Sequence, residues 1–465
     1  MSAQTGELPP EVKAALQRAR VPEEALSVTV QELGSARSVL ALNPREPVNP
    51  ASLVKLVTTY AALDQLGPAW TWATPVWLLG NVRDGVLEGD LVIKGQGDPK
   101  LVLERLWLLL RRVQQLGVRD IRGDIVLDHS AFAPAEGAAT DFDGDATRPY
   151  NVQPDALMLN YKAVTYSFVP EPGRSVARVI ADPDLAGGPP DRTVPLTSGP
   201  CNDWRAALKV MPGDGGYRFT GVYPVVCGEM NWPLADPDAA SYNARLIALL
   251  WRELGGRLGG SVRAGTSPTG LTPSFEHRSP ALSETVRDIN KFSNNVMAQQ
   301  LFLTLALVRQ PAAPASAEGA RDALRRWAAE RLGDTPAELV LDNGSGLSRQ
   351  TRVSAQWLAR LLQHAGASAV MSELMSSLPV NGLDGTMRRS RASAGRAHLK
   401  TGSLRDVAGV AGYVLADSGR RYVLVAIINH SNANQARPAL DALVQWAIRD
   451  APSQVVRRAP ASSPP

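Results

Sequence analysis

Residues 49–63, which read NPASLVKLVTTYAAL, form the stretch around which the rest of the chain is organised. Their apolar residues recur three and four positions apart, as on one face of a helix, and Pro50 suits a first helical turn. A helix that begins near Ala51 places Ser52 and Lys55 three positions apart on the same face. Such a pair can supply a serine nucleophile and an amine that takes its proton, provided that burial and other cations keep the amine neutral.

The same spacing also occurs in ordinary amphipathic helices, whose serines and lysines lie on the surface. Two features favour chemistry at Ser52. Lysine is scarce in this chain, because arginine supplies most of the basic residues. Among the lysines, only Lys55 has a serine three positions before it. The positive end of the helix dipole would also favour negative charge that develops near this serine.

The composition is that of an ordinary globular protein. The 465 residues are 44% hydrophobic and 20% charged, which allows two or three domains and a large core. The formal net charge of +4 comes without a basic stripe interleaved with aromatic residues, so nucleic acid is not an expected partner. An affinity for anionic polymers, including cell-wall material, stays open.

The cysteines and histidines limit the redox and metal chemistry. Cys201 and Cys227 would form one disulfide in an oxidising compartment and stay two thiols in a reducing one. The 5 histidines are scattered, so we expect neither a metal site nor another cofactor. No stretch approaches the ~18 apolar residues that a membrane-spanning helix needs, and residues 1–7 lack a signal-peptide pattern.

Hydrophobic periodicity predicts an outer domain made from both ends of the chain. Strands are predicted over 26–33 and 38–42, and again over 397–400, 407–415 and 422–429, so the two ends can share one antiparallel sheet with helices on both faces. Helices are predicted over 11–20, 51–67, 282–291, 295–308, 319–332, 354–365 and 438–449. Residues 451–465 are rich in proline and serine, and we expect them to be disordered.

The middle of the chain is predicted to be inserted into that domain. A strand–helix–strand unit between about 71 and 127 and a helix over 239–254 indicate an α/β domain, whereas 163–227 shows short strands and turns without a convincing helix. The predicted domains are therefore 1–72 with 271–450, 73–160 with 230–270, and a nested β-rich insertion at 161–229.

Two further motifs supply candidate partners for Ser52. Ser293-Asn294-Asn295 lies between two predicted helices, where it is either an N-cap or, with Ser293 as a proton relay and Asn295 as a substrate-holding amide, part of a site. Lys400-Thr401-Gly402-Ser403 lies on a predicted strand, where it is either an edge feature or a second part of that site.

The strand alternation assigns roles within the second motif. Lys400 and Gly402 fall on one face, and Thr401 and Ser403 fall on the other. Lys400 is predicted to lower the pKa of the nearby amine, and the glycine lets another backbone approach. The two hydroxyl groups are expected to hold a substrate carboxylate, while the Ser403 N–H joins that of Ser52 in an oxyanion hole.

Taken together, Ser-x-x-Lys, Ser-x-Asn and Lys-Thr-Gly in this order resemble the signature of penicillin-recognising serine acyltransferases. The stretches 50–56, 95–99, 342–349, 378–386 and 400–404 further resemble the D-alanyl-D-alanine carboxypeptidase/endopeptidase family of the penicillin-binding protein 4 type, which is low-molecular-mass class C. The resemblance covers about residues 25–450, including the long insertion. It implies an α/β (α+β) fold: a penicillin-binding/β-lactamase-like transpeptidase domain with an antiparallel sheet between helices.

The resemblance also implies a reaction. Lys55 deprotonates Ser52, which attacks the carbonyl between two D-alanines, or between D-alanine and the diamino acid of a cross-link. Ser293 returns a proton to the leaving amine with Lys400 close by, and Asn295 positions the acyl side. Water then hydrolyses the acyl-enzyme, whereas a β-lactam acylates the same serine and is released slowly.

The implied partners are peptidoglycan stem peptides as substrates and β-lactam antibiotics as covalent inhibitors. Such a family works outside the cytoplasmic membrane, so we expect a periplasmic protein whose signal peptide is not part of this sequence and whose membrane association is weak or absent. In that compartment a Cys201–Cys227 disulfide is favoured. The oligomeric state is not indicated.

Two alternatives belong to different functional classes. A β-lactamase on the same fold would need a base that deacylates the serine, and no motif supplies one. A non-catalytic cell-wall-binding scaffold would not need the complete set of serine, lysine and asparagine residues. The stretch 342–349 is expected to be a structural turn below the site rather than a direct participant.

Overall fold

The computed structural model describes residues 7–185, 192–213, 215–333 and 336–450. The predicted disorder of 451–465 therefore lies outside the described residues. The α-helices are α1 (Pro10–Arg18), α2 (Lys55–Leu66), α3 (Leu103–Gln115), α4 (Tyr242–Glu253), α5 (Leu282–Phe292), α6 (Asn295–Arg309), α7 (Ala317–Leu332), α8 (Ala355–Gly366), α9 (Met371–Ser377) and α10 (Arg437–Arg449).

The strands follow in the same chain order. They are β1 (Leu26–Glu32), β2 (Ser38–Leu42), β3 (Ala73–Arg83), β4 (Val86–Lys94), β5 (Asp120–Ile121), β6 (Ile125–Asp128), β7 (Ala163–Glu171), β8 (Val176–Asp182), β9 (Thr193–Thr197), β10 (Leu208–Gly213), β11 (Gly216–Gly221), β12 (Tyr223–Pro224), β13 (Met230–Ala235), β14 (Arg257–Leu258), β15 (Val262–Ala264), β16 (Phe275–Arg278), β17 (Leu339–Val340), β18 (Arg352–Val353), β19 (Ala397–Leu404), β20 (Val407–Leu415) and β21 (Arg421–Asn429).

The chain divides into two compact units. We call Met1–Pro68, Leu282–Asn294 and Leu324–Pro465 the outer unit, and Ala69–Ala281 with Asn295–Ala323 the inserted unit. Both chain ends thus belong to the outer unit. Residues 295–323, which the sequence assigns to the outer domain, group with the inserted unit instead. The finer division into three domains stays a prediction.

The outer unit is built on a five-stranded antiparallel sheet with the order β19-β20-β21-β1-β2. The pairing of β1 with β21 sets Val28 opposite Ala426 and so joins the two ends of the chain. The predicted shared sheet is therefore confirmed. β19 is the edge strand of this sheet. Residues 379–381 bridge the start of its outer edge, where the Leu399 N–H donates to the Pro379 carbonyl at 2.9 Å. The rest of that edge carries residues 400–403.

The two faces of this sheet are buried against different helices. Val28, Leu399 and Ala426 contribute to a core that also contains side chains of α1 and α10. On the opposite face the Tyr413 hydroxyl donates a hydrogen bond to the Leu362 carbonyl of α8, at 2.8 Å. Successive strand residues alternate between faces, so Lys400 points away from the core that Leu399 joins.

The stretch that organises the chain begins with a tighter turn than predicted. Residues Ala51–Val54 form a 3-10 helix, and α2 starts only at Lys55. Such turns are common at helix N-termini, and here Ala51 has a left-handed φ of 47°. The residues Lys55–Leu63 are all buried, and α2 ends at Leu66 with Gly67 as its C-cap, next to the predicted end.

The described part of the inserted unit contains two sheets of more than two strands. A seven-stranded sheet includes β14-β5-β4-β3-β16 with β6 and β15, and a second sheet has the order β12-β9-β8-β7-β13. Cys201 and Cys227 form a disulfide. Within the described ranges, no helix is long and apolar enough to cross a membrane.

The start of β19 depends on one buried amide, that of Asn381. Its Oδ1 accepts hydrogen bonds from the Arg396 and Ala397 N–H groups at 3.1 and 2.7 Å, and its Nδ2 donates to the Ser393 carbonyl at 2.8 Å. The side chain has no solvent exposure. Asn381 therefore fixes the backbone that leads into the strand carrying Lys400.

We predict that Asn381→Ala lowers the free energy of unfolding by about 3 kcal/mol, because several buried backbone groups lose their partners. Urea denaturation of the parent and the variant measures this difference. Replacing the exposed Gln435 with alanine is the control, with an expected change within about 0.5 kcal/mol. Equal stabilities of the parent and Asn381→Ala would contradict the assigned role.

Candidate active site

The junction of the 3-10 turn and α2 brings Ser52 and Lys55 together. Lys55 Nζ lies 2.9 Å from Ser52 Oγ, within hydrogen-bond distance. The same amine donates to the Ser345 carbonyl at 2.5 Å. Lys55 has no solvent exposure, whereas Ser52 is partly exposed and lines a cavity. A protected amine thus contacts a hydroxyl that a ligand can reach.

The second cation of the site is Lys400, on the edge strand β19. Its Nζ donates to Ser293 Oγ and to the Thr401 carbonyl, both at 2.9 Å. Ser293 follows α5 and has a left-handed φ of 57°, a conformation that is uncommon for a residue with a side chain. The predicted association of Lys400 with Ser293 is present in the structure.

Burial lowers the pKa of both lysines. It lowers the pKa of Lys400 to about 7. The pKa of Lys55 falls well below its usual range, first because of burial and second because of repulsion by Lys400. Both shifts favour the neutral form of the amines, which is the form of Lys55 that a base requires. The sequence predicted the repulsion by Lys400, but burial is the larger cause.

Two glycines allow backbones to approach the turn that carries Ser52. A Cβ on Gly402 would lie 2.5 Å from the Pro50 carbonyl oxygen and 3.0 Å from Leu53 Cγ. A Cβ on Gly346, which has a left-handed φ of 81°, would lie 2.0 Å from the Ala51 carbonyl oxygen. Neither contact is sterically possible for a larger residue without a shift of the backbone.

The stretch 342–349 lies against α2 and contacts Lys55 directly. Besides the bond from that lysine to the Ser345 carbonyl, Thr58 Oγ1 donates to the Gly344 carbonyl at 2.7 Å. Ser345 is itself fully buried, so its side chain is not a second nucleophile open to solvent. The turn thus packs against α2 and supplies an acceptor for the amine; its assignment as structural stays a prediction.

The other face of β19 presents the hydroxyl groups of Thr401 and Ser403. Thr401 Oγ1 donates to Thr386 Oγ1 at 2.7 Å, and Arg437 donates to Ser403 Oγ at 2.6 Å. Arg437 also donates to Asn434 Oδ1 at 2.9 Å. The sequence analysis did not identify Thr386, Asn434 or Arg437 as neighbours of the motif. Thr386 belongs to the stretch 378–386, whose resemblance to the family was the one sequence feature that pointed to any of these three residues.

A cavity of about 720 Å³ adjoins these residues and includes Ser52, Ser293, Thr401, Gly402 and Ser403 in its lining. The structure thus brings most of the predicted site residues together. Asn295 is the first residue of α6, which groups with the inserted unit. Its role stays a prediction.

The sequence matches the D-Ala-D-Ala carboxypeptidase 3 (S13) family over residues 8–450. It is 25% identical over 394 residues to the D-alanyl-D-alanine carboxypeptidase DacB of Haemophilus influenzae, covering 82% of this chain and 80% of that protein. It is 27% identical over 462 residues to a D-alanyl-D-alanine carboxypeptidase of Actinomadura sp. strain R39, covering 93% of this chain and 83% of that protein.

Solved structures support the fold. The crystal structure of penicillin binding protein 4 (dacB) from H. influenzae aligns with a TM-score of 0.74 at 24% identity, over 93% of this chain and 99% of that one. A second structure of that protein, complexed with a β-lactam, aligns with a TM-score of 0.73 at 23% identity, over 94% of this chain and 98% of that one. The predicted fold class is confirmed.

We predict that Gly402→Ala lowers the rate at which benzylpenicillin acylates the protein by on the order of 100-fold, because the added methyl displaces β19 from the Ser52 turn. Stopped-flow or quenched mass spectrometry measures this rate. Gly173→Ala is the matched control, since a Cβ there meets no atom within 4 Å. An unchanged rate in Gly402→Ala would show that the close approach does not matter.

We predict that Lys400→Met stabilises the protein, and more so at pH 7 than at pH 9.5. The unfolded chain holds the lysine proton up to its usual pKa of about 10.4, whereas the folded chain releases it near pH 7, so this lysine costs stability as the pH falls between these values. Urea titrations at both pH values should show a stabilisation that changes by up to ~1.4 kcal/mol per pH unit.

The matched control for this pH dependence is Lys209→Met. Lys209 is exposed, so its replacement should change stability by the same small amount at both pH values. A stabilisation by Lys400→Met that is equal at pH 7 and pH 9.5 would contradict the lowered pKa.

Proposed function

The chain belongs to the D-Ala-D-Ala carboxypeptidase 3 (S13) family, and from this premise we propose that Ser52 is the nucleophile of a serine-type peptidase that acts on peptidoglycan. The enzyme hydrolyses D-Ala-D-Ala termini and D-Ala–diamino acid cross-links through an acyl-enzyme. The observation that carries the assignment of Ser52 is its 2.9 Å contact with a fully buried amine whose pKa is lowered.

The first half-reaction uses the neutral amine as a base. Lys55 takes the Ser52 proton as Oγ bonds to the carbonyl carbon of the scissile amide. The backbone N–H groups of Ser52 and Ser403 stabilise the negative charge that forms on the carbonyl oxygen. Asn295 positions the acyl part of the substrate.

The second event is departure of the amine. As the carbon–nitrogen bond breaks, Ser293 delivers a proton to the leaving nitrogen and recovers one through its hydrogen bond with Lys400. The carboxylate of the leaving residue binds Thr401, Ser403 and Lys400, and Gly402 keeps this strand close to the nucleophile. Water then adds to the ester carbon. Ser52 Oγ leaves with the proton held by Lys55, the product acid is released, and the proton lost by the water recharges Lys400.

The same geometry accounts for inhibition by β-lactams. A β-lactam presents an amide carbonyl and a carboxylate to the same groups, and after the ring opens its leaving amine stays tethered to the acyl group. We propose that water therefore reaches the ester slowly. The proposed location is the periplasm, where the Cys201–Cys227 disulfide is chemically favoured.

We predict that brief exposure to benzylpenicillin adds the mass of one penicillin to the parent and none to Ser52→Ala, because the variant lacks the hydroxyl group. Intact-protein mass spectrometry measures the adduct. A D-Ala-D-Ala-terminated peptide, followed by D-alanine release, supplies the second readout.

Three outcomes separate the alternatives. An adduct on the parent that Ser52→Ala lacks supports the nucleophile. Drug consumed without a trapped adduct would instead indicate a β-lactamase. Neither adduct, drug consumption nor D-alanine release by the folded parent would indicate a non-catalytic scaffold.

A further inference from the structure

The cavity beside Ser52 has a lining that includes more than the hydroxyl groups proposed to receive a leaving carboxylate. Its whole volume is about 720 Å³, and besides Thr401 and Ser403 it is lined by Arg388, Arg389 and Arg437 among others. Cavities of roughly 300–1,000 Å³ hold drug-sized ligands, and D-alanine is far smaller. The leaving-group side of the site therefore has room for a larger molecule than the residue released by a carboxypeptidase.

The charge in this extension is mainly positive. Asp441 is the one acidic residue in the lining of this cavity, and its carboxylate already accepts hydrogen bonds from Ser390 Oγ at 2.7 Å and from the Arg391 N–H at 3.2 Å. Within the part of the chain that the structure describes, none of the three cavity arginines forms a salt bridge. Their charge is therefore available to an anionic ligand.

The segment that carries Arg388 and Arg389 is fixed at both ends. Before it, Asp384 accepts a hydrogen bond from buried Lys291 at 2.6 Å and another from the Val380 N–H at 2.7 Å. After it, Ser390 is held by its bond to Asp441. Anchoring of this kind reduces the ordering that binding would require, which favours affinity.

We propose that Arg388 and Arg389 bind carboxylates of the second stem peptide when a cross-link is cleaved. This inference rests on the proposed function and adds the specificity for the leaving group. In both substrates a carboxylate adjoins the scissile nitrogen, where Thr401 and Ser403 receive it. The cross-link differs in that a long side chain replaces the alanine methyl and leads to a peptide with further carboxylates.

The contacts of the three cavity arginines assign them different roles. Arg437 contacts Ser403 and so belongs with the first carboxylate, which both substrates share. Arg388 and Arg389 have no hydrogen bond of that kind to Ser403 or Thr401 within the described residues. The two arginines therefore distinguish cleavage of a cross-link from removal of a terminal D-alanine.

The test is the Arg388→Gln/Arg389→Gln double variant, assayed with two substrates. One is a stem peptide ending in D-Ala-D-Ala, and the other is a purified cross-linked peptide dimer. The ratio of kcat/KM for the dimer to kcat/KM for the monomer should fall by roughly 5- to 10-fold, as expected for the loss of two solvent-exposed ion pairs. Arg391→Gln removes a neighbouring exposed charge that does not line the cavity and should leave the ratio unchanged.

A chemical control identifies the partner of the arginines. The parent should cleave the free-acid dimer faster than a dimer whose acceptor-peptide carboxylates are amidated, and the double variant should lose that preference. An unchanged ratio, or equal losses on both substrates, would overturn the proposal. Failure of the proposed function itself looks different, because neither substrate would then be cleaved and benzylpenicillin would leave the parent unmodified.

Discussion

The outer unit must accommodate two buried lysine amines, each hydrogen-bonded to a serine hydroxyl group. An ammonium group out of water is strongly disfavoured, and a second one beside it is more so. The chain accommodates the pair by giving Lys55 the Ser52 hydroxyl and the Ser345 carbonyl, and by giving Lys400 the Ser293 hydroxyl and the Thr401 carbonyl. The lowered pKa values favour neutral amines, as the proposed role of Lys55 as a base requires.

The sheet makes this juxtaposition possible, because Lys55 and Lys400 are far apart in sequence. The β1–β21 pairing joins the two chain ends, and β19 then lies at the sheet edge beside the 3-10 turn, with Gly402 in contact with Pro50 and Leu53. The inserted unit leaves this sheet intact, since both of its segments, Ala69–Ala281 and Asn295–Ala323, lie between β2 and β19 in the chain. A long insertion is tolerated at such a place because the entropy of closing a loop grows slowly with its length.

Part of this arrangement could be predicted from the local sequence. The Ser52–Lys55 spacing is set within one turn, and the alternation along β19 correctly separated Lys400 and Gly402 from Thr401 and Ser403. The association of Lys400 with Ser293 and of both with Ser52 is tertiary, and it was anticipated only through resemblance to a family. Periodicity alone does not report which distant segments meet.

The misses have physical reasons as well. The 3-10 turn at Ala51–Val54 reflects crowding by neighbouring backbone, which a helical pattern in the sequence does not reveal. The contacts of Thr386 and Arg437 with the β19 hydroxyls join segments that approach only in the folded chain. Residues 295–323 carry a helical pattern that is equally compatible with either unit, so their grouping with the inserted unit was decided by packing rather than by propensity.

The positive charge of the site serves two purposes that would otherwise conflict. A substrate that ends in a carboxylate requires cations near the leaving group, whereas a lysine base requires that its own proton be expelled. Lys400 and Arg437 lie on the proposed leaving-group side and supply the cations that a substrate carboxylate requires. The repulsion from Lys400 also helps to lower the pKa of Lys55. A carboxylate placed beside Lys55 would satisfy the buried charge but would also restore the proton, so hydroxyl and carbonyl partners are the ones that preserve the base.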